Sequence, residues 1–277
     1  MKYVSHIILY ILLIFSALLT AFPFFWMIVN SFSSEAGIFR VPPQLIPDLI
    51  GTNQLWSNYA VIFQQFHFGR YFLNSLFISG ASAIGQVIVC SLAGYVFALM
   101  NFRGKRLIFS ALVFTLMVPA QVTIIPEYFL MMKLNWLDSY LPLIIPSFLV
   151  GSFGTFMFKE FYETFPSSIS DAGIIDGAGA FRMFTRIYLP QSGPQAATLF
   201  IIAFMNSWND LLRPILYISD DSMQTVTMAL TQFQSQYTAR WNLLLAGGVI
   251  SVMPLLLIFV FLQRYIIENS INSGIKG

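Results

Sequence analysis

Residues 7–31 read IILYILLIFSALLTAFPFFWMIVNS, an uncharged run of 25 residues that is rich in Ile, Leu and Phe. A bilayer core about 30 Å thick requires about 20 apolar residues of helix, so this run is long enough to cross it. It is too long for the apolar region of a signal peptide, and no cleavage site of small residues follows it closely. We therefore expect a retained transmembrane helix.

Five further runs share this length and apolar character. They are Tyr71–Met100, Leu107–Pro126 with an extension to about Met132, Tyr140–Phe158, Ala196–Ile218 and Trp241–Leu262. Two other uncharged stretches, Leu49–Gly69 and Ser222–Ala239, are interrupted by Asn, Gln, Ser and Thr and are predicted to be water-facing connections. The sequence thus predicts an all-α integral membrane protein with six transmembrane helices, built as a single domain over residues 1–277.

The composition supports a membrane environment and excludes several classes of protein. Hydrophobic residues make up 57% of the chain and charged residues 9%, with a mean hydropathy of +0.74. Soluble domains average about 25% charged residues, so a soluble enzyme or a disordered chain is excluded. The formal net charge of +2 is too balanced for a nucleic-acid partner. Cys90 is the single cysteine, so an intramolecular disulfide is impossible.

The distribution of Lys and Arg predicts the orientation of the six helices. If the N-terminus is inside, the inner segments carry nine Lys and Arg and the outer segments carry five. Because cytoplasmic loops are enriched in these residues, both termini are predicted to be cytoplasmic. The turn Arg103–Arg106 is the clearest marker. The long outer connections, 32–70 and 219–240, carry turn residues and aromatics that are typical of an ordered cap or of interfacial anchoring.

One inner segment, residues 160–194, is much longer than the roughly 2–8 residues that usually connect two helices. Pro166 and the two serines after it predict a helix start, with Asp171 in the first turn. Gly177 permits a sharp turn. A second helical stretch follows, which Pro190 and Pro194 are expected to end.

The first helix of this segment carries small residues on both sides of an apolar pair, Ile174 and Ile175. Small side chains allow the backbone of a partner to approach closely, and the isoleucines would supply docking energy. An amphipathic helix lying on lipid is the alternative, but the segment lacks the Lys-rich face that is typical of such helices. The residues therefore favour a docking site for another protein.

The same segment resembles the motif of a known family. The EAA loop of ABC importer permeases usually reads E-A-A-x-x-D-G-A, then a spacer, then I-x-L-P. This segment is similar to it, with DAGIIDGA at 171–178 and IYLP at 187–190. Similarity extends through VPAQVTIIP at 118–126, FMNSWND at 204–210 and GIKG at 274–277. The ordered set resembles the maltose-type (MalG-like) branch of carbohydrate importer permeases over nearly the whole chain.

Two positions depart from the family motif. Asp171 stands where the family has Glu, and Gly173 stands where it has the second Ala. The first change keeps the negative charge. The second is expected to loosen the helix by about 1 kcal/mol relative to Ala.

The resemblance implies a type I ABC importer permease fold, paired with a second, distinct MalF-like permease and with two ATP-binding cassette ATPase subunits. An extracytoplasmic solute-binding protein would deliver a sugar or oligosaccharide, in the cell membrane of a prokaryote. ATP-driven closure of the ATPases would move the helices between inward-open and outward-open states. The residues implied to couple to the ATPase are Asp171, Ala172, Gly173, Ile174, Ile175, Asp176, Gly177 and Ala178. The resemblance also implies an ATPase-contacting tail with Gly274, Lys276 and Gly277.

Neither a nucleotide site nor a metal site is expected in this chain. Its only Gly-Lys pair, Gly104-Lys105, is followed by Arg106 and does not fit the phosphate-binding loop G-x-x-x-x-G-K-[ST]. His6 and His67 fall on opposite sides of the predicted topology and form no metal signature. The chain is therefore expected to be a transport subunit and not an enzyme, with ATP and Mg²⁺ bound by the partner ATPase.

Polar residues inside the predicted spans are candidates for the translocation path. The candidates are Gln121, Asn206, Trp208 and Asn209. The first lies between Pro119 and Pro126, which are expected to bend their helix beside protein or water. The others form the densest polar cluster in any apolar run, and amides and an indole suit sugar hydroxyls and ring faces. Hydrogen bonding between helices is the alternative role.

Two acids lie in or near the predicted spans. Glu127, near the outer end of the third span, is expected to be exposed or paired. Asp210 is expected to pair with Arg213, three residues later.

Two other function classes compete with an ATP-driven importer. A stand-alone secondary transporter driven by an ion gradient usually carries paired intramembrane ionisable residues and inverted repeats, and this sequence shows one or two candidate acids and no repeat. An integral-membrane enzyme would need a polar catalytic cluster at the bilayer boundary, which the separated His6 and His67 do not supply.

Overall fold

The computed structural model describes residues 2–234 and 240–274, and every regular element in these ranges is helical. The α-helices are α1 Lys2–Ser31, α2 Glu35–Ile38, α3 Ser57–Gln65, α4 Phe68–Leu99, α5 Lys105–Phe114, α6 Ala120–Lys133, α7 Leu141–Ile144, α8 Ser152–Tyr162, α9 Ser167–Ile175, α10 Ala180–Met183, α11 Leu189–Gln191, α12 Gly193–Trp208, α13 Leu212–Tyr217, α14 Val226–Gln232 and α15 Trp241–Gly274. Short 3₁₀ turns cover Thr115–Met117, Ile145–Phe148 and Asp221–Met223, and a π-helical turn covers Phe184–Tyr188.

Four helical segments of the described chain are long and apolar enough to cross a membrane. They are His6–Ser31, Phe68–Leu99, Leu141–Tyr162 and Trp241–Tyr265. A fifth is broken, because Lys105–Met117 and Ala120–Lys133 meet at an angle of 105°. The all-α, multi-spanning character is confirmed, with four candidate spans, or five if the bent pair counts as one.

The break in the third apolar run lies at Val118 and Pro119. Val118 is extended, with φ −87° and ψ 115°. A residue before proline is disfavoured in the helical region, so α5 and its 3₁₀ extension stop there and α6 starts after Pro119. The bend predicted at Pro119 is confirmed, whereas Pro126 lies inside α6.

The fifth apolar run, Ala196–Ile218, is divided between two helices. The helix α12 ends at Trp208 and has 16 residues, fewer than the roughly 20 that a straight crossing requires. Asp210 Oδ1 accepts hydrogen bonds from the backbone N–H groups of Leu212 at 3.1 Å and Arg213 at 3.4 Å. Because the Asp210 carboxylate caps the start of α13, the chain begins a new helix there and α12 ends before it.

Two local expectations for residues 160–194 are wrong. The helix α9 begins at Ser167, so Asp171 lies in its second turn and the first turn holds no acid. Pro190 and Pro194 do not end the helical structure, because each is the second residue of a helix, α11 or α12. A proline is tolerated in the first turn since its missing N–H is not needed there.

The chain divides into two compact units. The first comprises Met1–Phe72 and Met228–Pro254. In this unit Asn58 is a hydrogen-bonding centre: its Nδ2 donates to the carbonyls of Ser31 and Ser33, both at 2.9 Å, and its Oδ1 accepts from Asn242 Nδ2 at 2.7 Å. These bonds tie α3 to the end of α1 and to the start of α15.

The second unit comprises Leu73–Thr227 and Leu255–Gly277. An aromatic core, defined by Tyr95, Phe158, Tyr162, Phe184 and Tyr188, joins α4, α8 and the π-helical turn. The hydroxyl of Tyr95 donates to the carbonyl of Ala180 at 3.0 Å, and that of Tyr162 donates to Ser192 Oγ at 3.2 Å. The segment that follows α9 is therefore held against α4 and α8.

The helices α4 and α8 approach closely at Gly94. A Cβ atom at this position would lie 2.5 Å from Phe158 Cβ and 2.9 Å from the backbone nitrogen of Lys159. Gly80, on the same helix α4, has nothing within 4 Å of such an atom.

We expect Gly94→Ala to destabilise the protein by about 1–3 kcal/mol, because the added methyl group pushes α8 away from α4. Gly80→Ala, the matched control, is expected to be neutral or to stabilise by up to about 1 kcal/mol through helix propensity. Thermal unfolding of the purified protein in detergent measures both changes. Equal melting temperatures for the two variants would contradict the close approach.

Candidate functional site

The helix α9 ends in a tight glycine turn. Gly177 has φ +72°, its N–H donates to the carbonyl of Ile174 at 3.0 Å, and the N–H of Ala178 donates to the carbonyl of Gly173 at 2.9 Å. This is the Schellman arrangement, in which a left-handed residue follows the helix and its last carbonyls are capped. A side chain in the left-handed region costs about 1–2 kcal/mol, so the position favours glycine. The sharp turn predicted at Gly177 is confirmed.

The helix α9 has one anchored face and one exposed face. Gly173 is buried on the anchored face, and Ser170 Oγ forms a 2.6 Å hydrogen bond with the hydroxyl of Tyr188. On the other face the side chains of Ile174 and Ile175 are 65% and 84% exposed. The structure therefore presents an apolar pair at the end of a short, anchored helix.

The anchored face of α9 is connected to the aromatic core. The ring of Tyr188 lies 5.3 Å from that of Tyr95 on α4 and 5.7 Å from that of Tyr162 on α8, measured between ring centroids. Buried side chains pack at near-crystalline density and transmit displacement instead of absorbing it. The anchored face of α9 is therefore linked through Tyr188 to both α4 and α8.

The eight residues that the resemblance implies for coupling form one contiguous structure. Asp171–Ile175 lie in α9, Asp176 is its C-cap, Gly177 is the left-handed residue, and Ala178 is half-buried after it. Gly274 is the last residue of α15, whereas Lys276 and Gly277 lie outside the described residues.

A polar cavity of about 270 Å³ lies in the second unit. Its walls come from α4, α6, the segment Pro142–Ser147, α12 and α13. The uncharged polar residues that line it are Ser75, Ser79, Ser82, Gln86, Ser147, Asn206, Ser207 and Thr225. Hydroxyl and amide side chains therefore form the largest share of the lining, apolar residues such as Ile78 and Leu143 complete it, and a charged cluster lies at one wall.

The charged cluster consists of the side chains of Glu127, Asp210 and Arg213. Arg213 Nε lies 3.2 Å from Glu127 Oε1, and Arg213 Nη1 lies 3.4 Å from Asp210 Oδ2. The pairing of Asp210 with Arg213 is confirmed, and Glu127 on α6 is paired with the same guanidinium. The three residues tie α6 to the start of α13.

Of the four residues predicted for the translocation path, the cavity includes Asn206 alone. Gln121 is exposed. Trp208 is buried and its ring stacks on Phe204 with centroids 5.5 Å apart. The exposed Asn209 donates from Nδ2 to the carbonyl of Met205 at 2.9 Å.

Sequence reasoning missed the serine row of α4 as part of a site. The signal was the spacing of Ser75, Ser79 and Ser82 by four and three residues, which places them on one face of a helix. Among the described residues, no group of three or more His, Cys, Asp and Glu could hold a metal ion.

Comparison with known proteins identifies the family. The model of the family described as "Binding-protein-dependent transport system inner membrane component" matches residues 90–269. The chain belongs to this family. It is accordingly a multi-pass membrane protein and a permease subunit of an ABC importer that works with a substrate-binding protein, and it is not an enzyme.

Several relatives match over nearly their whole length. The chain is 33% identical over 272 residues to the sn-glycerol-3-phosphate transport system permease protein UgpE of Yersinia pestis bv. Antiqua (strain Antiqua), with 95% of each chain covered. It is 30% identical over 264 residues to the arabinooligosaccharides transport system permease protein AraQ of Halalkalibacterium halodurans, with 95% of this chain and 94% of the relative covered.

Solved structures share the fold. The chain superposes with a TM-score of 0.81 and 20% identity on a chain of a bacterial ABC transporter involved in the import of the acidic polysaccharide alginate, covering 96% of this chain and 97% of that one. A second match, with a TM-score of 0.61 and 18% identity, is the alginate transporter in complex with an alginate pentasaccharide-bound periplasmic protein. The ABC importer permease fold expected from the resemblance is confirmed.

We expect Gly173→Ala to stabilise α9 by up to about 1 kcal/mol. A Cβ atom at Gly173 would lie 3.5 Å from Met183 and Ile187, which is ordinary van der Waals contact. Amide hydrogen exchange within Ser167–Ile175 should therefore become slower in the variant. Faster exchange would show that the added methyl group does not fit.

We expect Arg213→Gln to destabilise the protein by about 1–3 kcal/mol, since it leaves the half-buried carboxylates of Glu127 and Asp210 next to each other without a cation. The double variant Arg213→Gln with Glu127→Gln should recover part of this loss. Thermal unfolding of both single variants and the double variant gives the coupling energy. Strictly additive effects would contradict an energetic link between α6 and α13.

Proposed function

We propose that this chain is the permease subunit through which an ABC importer moves a sugar or oligosaccharide, delivered by an extracytoplasmic solute-binding protein. The relative named for arabinooligosaccharides supports this substrate class directly, and the relative named for sn-glycerol-3-phosphate takes a phosphorylated polyol with two hydroxyl groups. The cavity lined by hydroxyl and amide groups has suitable chemistry for such solutes. ATP and Mg²⁺ are bound by the partner ATPase subunits.

The observation that carries the proposal is the exposure of Ile174 and Ile175 at the end of an anchored helix. We propose that residues 171–178 dock onto an ATPase subunit, with the isoleucines supplying the apolar contact and Asp171 and Asp176 setting the register at its rim. Closure of the ATPases would displace α9. The aromatic core would then carry that displacement to α4 and α8, as rigid-body alternating access requires.

We propose six membrane crossings with cytoplasmic termini, in a single permease domain. The fifth apolar run would form its crossing from α12 together with α13. The basic turn Arg103–Arg106 supports the orientation, because cytoplasmic loops are enriched in Lys and Arg. In this turn Lys105 Nζ donates to the carbonyls of Ala98 at 3.2 Å and Met100 at 3.0 Å, at the end of α4. The ring of Phe109 lies 4.9 Å from Lys159 Nζ, so the basic turn and the end of α8, which leads into α9, lie at the same end of the second unit.

We propose that the complete importer contains a second, distinct permease chain and two ATPase subunits in the cell membrane of a prokaryote. The tail with Gly274, Lys276 and Gly277 would contact the ATPases. Asn206 is the path residue that the cavity supports. Gln121, Trp208 and Asn209 remain candidates for other parts of the path.

We expect Gly177→Val to lower ATP-driven uptake by the reconstituted importer about ten-fold or more, since the left-handed turn becomes strained and the isoleucines shift. Gly179→Val is the matched control, because Gly179 has φ −67° and a Cβ atom there would have nothing within 4 Å. Its uptake should be nearly unchanged. Both variants should reach the membrane in normal amounts.

Normal uptake and normal co-purification of the ATPase with the Gly177→Val variant would contradict the coupling role. Uptake by this chain alone, in ATP-free vesicles with an ion gradient, would instead support a secondary transporter.

A further inference from the structure

The serine row of α4 contains one hydroxyl that the protein does not satisfy. Ser75 Oγ accepts from the N–H of Val226 at 2.8 Å, and Ser82 Oγ donates to the carbonyl of Leu143 at 3.1 Å. Ser79 lies between them, is 1% exposed, and its Oγ has no hydrogen-bond partner among the described residues. All three serines line the polar cavity.

The unsatisfied hydroxyl is informative because a helical serine usually has a local alternative. Ser91, further along α4, donates to the carbonyl of Ile88 at 3.0 Å. Ser251 on α15 likewise donates to the carbonyl of Gly247 at 2.7 Å. A buried hydroxyl without a partner costs free energy, so Ser79 is suited to a partner that the protein itself does not supply.

The other walls of the cavity offer groups of the same kind. Asn206 on α12 is exposed and Gln86 on α4 is half-buried, and both line the cavity with Ser207. Amides and hydroxyls donate and accept hydrogen bonds, as sugar hydroxyls do. Small-molecule sites usually have volumes of about 300–1,000 Å³, so a cavity of about 270 Å³ suits a single sugar unit more than a whole oligosaccharide.

The charged wall disfavours an anionic solute. The charged residues lining the cavity are two carboxylates, Glu127 and Asp210, and one guanidinium, Arg213, which already donates to both. A phosphate or uronate group would have to displace a carboxylate from Arg213 and would meet a wall with a formal charge of −1. An uncharged polyol meets no such penalty.

We infer that this cavity is a subsite for one unit of an uncharged polyol, with the Ser79 hydroxyl and the Asn206 amide as direct contacts. The inference rests on the proposed function and narrows its substrate class to neutral carbohydrates. It separates this chain from the relative named for sn-glycerol-3-phosphate and from the transporter of an acidic polysaccharide.

The test uses the intact importer in a cysteine-free background, which in this chain requires only Cys90→Ala. Ser207→Cys places a thiol at the cavity wall, and Met205→Cys places an exposed thiol two residues away that does not line it. The rate of labelling by a methanethiosulfonate reagent is measured with arabinotriose or maltotriose as uncharged probes. sn-Glycerol 3-phosphate serves as the anionic probe.

We expect at least one trisaccharide to slow labelling at position 207 and not at position 205, while the phosphate ester has no effect. Adding Ser79→Ala should raise the trisaccharide concentration for half-protection about 5-fold, the effect of one lost hydrogen bond. Ser91→Ala, a buried serine of the same helix outside the cavity, should leave it unchanged.

Three results would overturn the inference: no protection by either trisaccharide, stronger protection by the phosphate ester, or equal shifts with Ser79→Ala and Ser91→Ala. ATP-driven uptake of carbohydrate by the wild-type importer is measured in parallel. If the importer takes up carbohydrate but no trisaccharide protects position 207 from labelling, the subsite is refuted and the proposed function is not. If a trisaccharide protects position 207 but no carbohydrate is taken up, the proposed function is refuted.

Discussion

Hydrocarbon offers no hydrogen-bond partner to a peptide group, and this constraint determines where the chain can depart from regular helix. The helices α1, α4 and α15 run unbroken for 30 residues or more. Two of the departures in the second unit occur within predicted apolar runs, at Val118–Pro119 between α5 and α6 and at Asn209–Leu211 between α12 and α13. Non-helical backbone at membrane depth is tolerated only beside protein or water. The helices that follow these breaks contribute Glu127 and Arg213 to the wall of the polar cavity.

In the proposed mechanism, energy enters this chain through a packed contact with an ATPase subunit. The helix α9 is a suitable lever because its two faces have opposite properties. One face is fixed by Gly173 and by the hydrogen bond between Ser170 and Tyr188, and the other leaves Ile174 and Ile175 uncovered. The aromatic core of tyrosines and phenylalanines makes α4, α8 and α9 respond together, since a close-packed core resists bending.

Much of the fold is predictable from the sequence, because long apolar runs have few alternatives to helix. The sharp turn at Gly177 is also predictable, since only glycine adopts its backbone conformation without strain. The division of the fifth apolar run into α12 and α13 is not predictable from the sequence, although Asp210 lies within that run. That a carboxylate will cap a new helix instead of pairing within the old one depends on tertiary context.

The cavity cannot be predicted from the sequence, because its lining residues are far apart along the chain. Ser79 and Asn206 are 127 positions apart along the chain, and Glu127 and Arg213 are 86 apart. Each serine of α4, taken alone, is an ordinary small residue in an apolar helix. Only the neighbouring helices show that Ser75 and Ser82 bind backbone groups while Ser79 does not.

We propose that an ATPase subunit covers the exposed end of α9 in the working importer. A photo-activatable cross-linker on Ile175→Cys, in the intact importer with Cys90→Ala, measures this directly. We expect cross-linking to the ATPase, in a yield that changes when ATP closes the ATPase dimer. Cross-linking to lipid alone, with no ATPase adduct in an importer that is active, would contradict it.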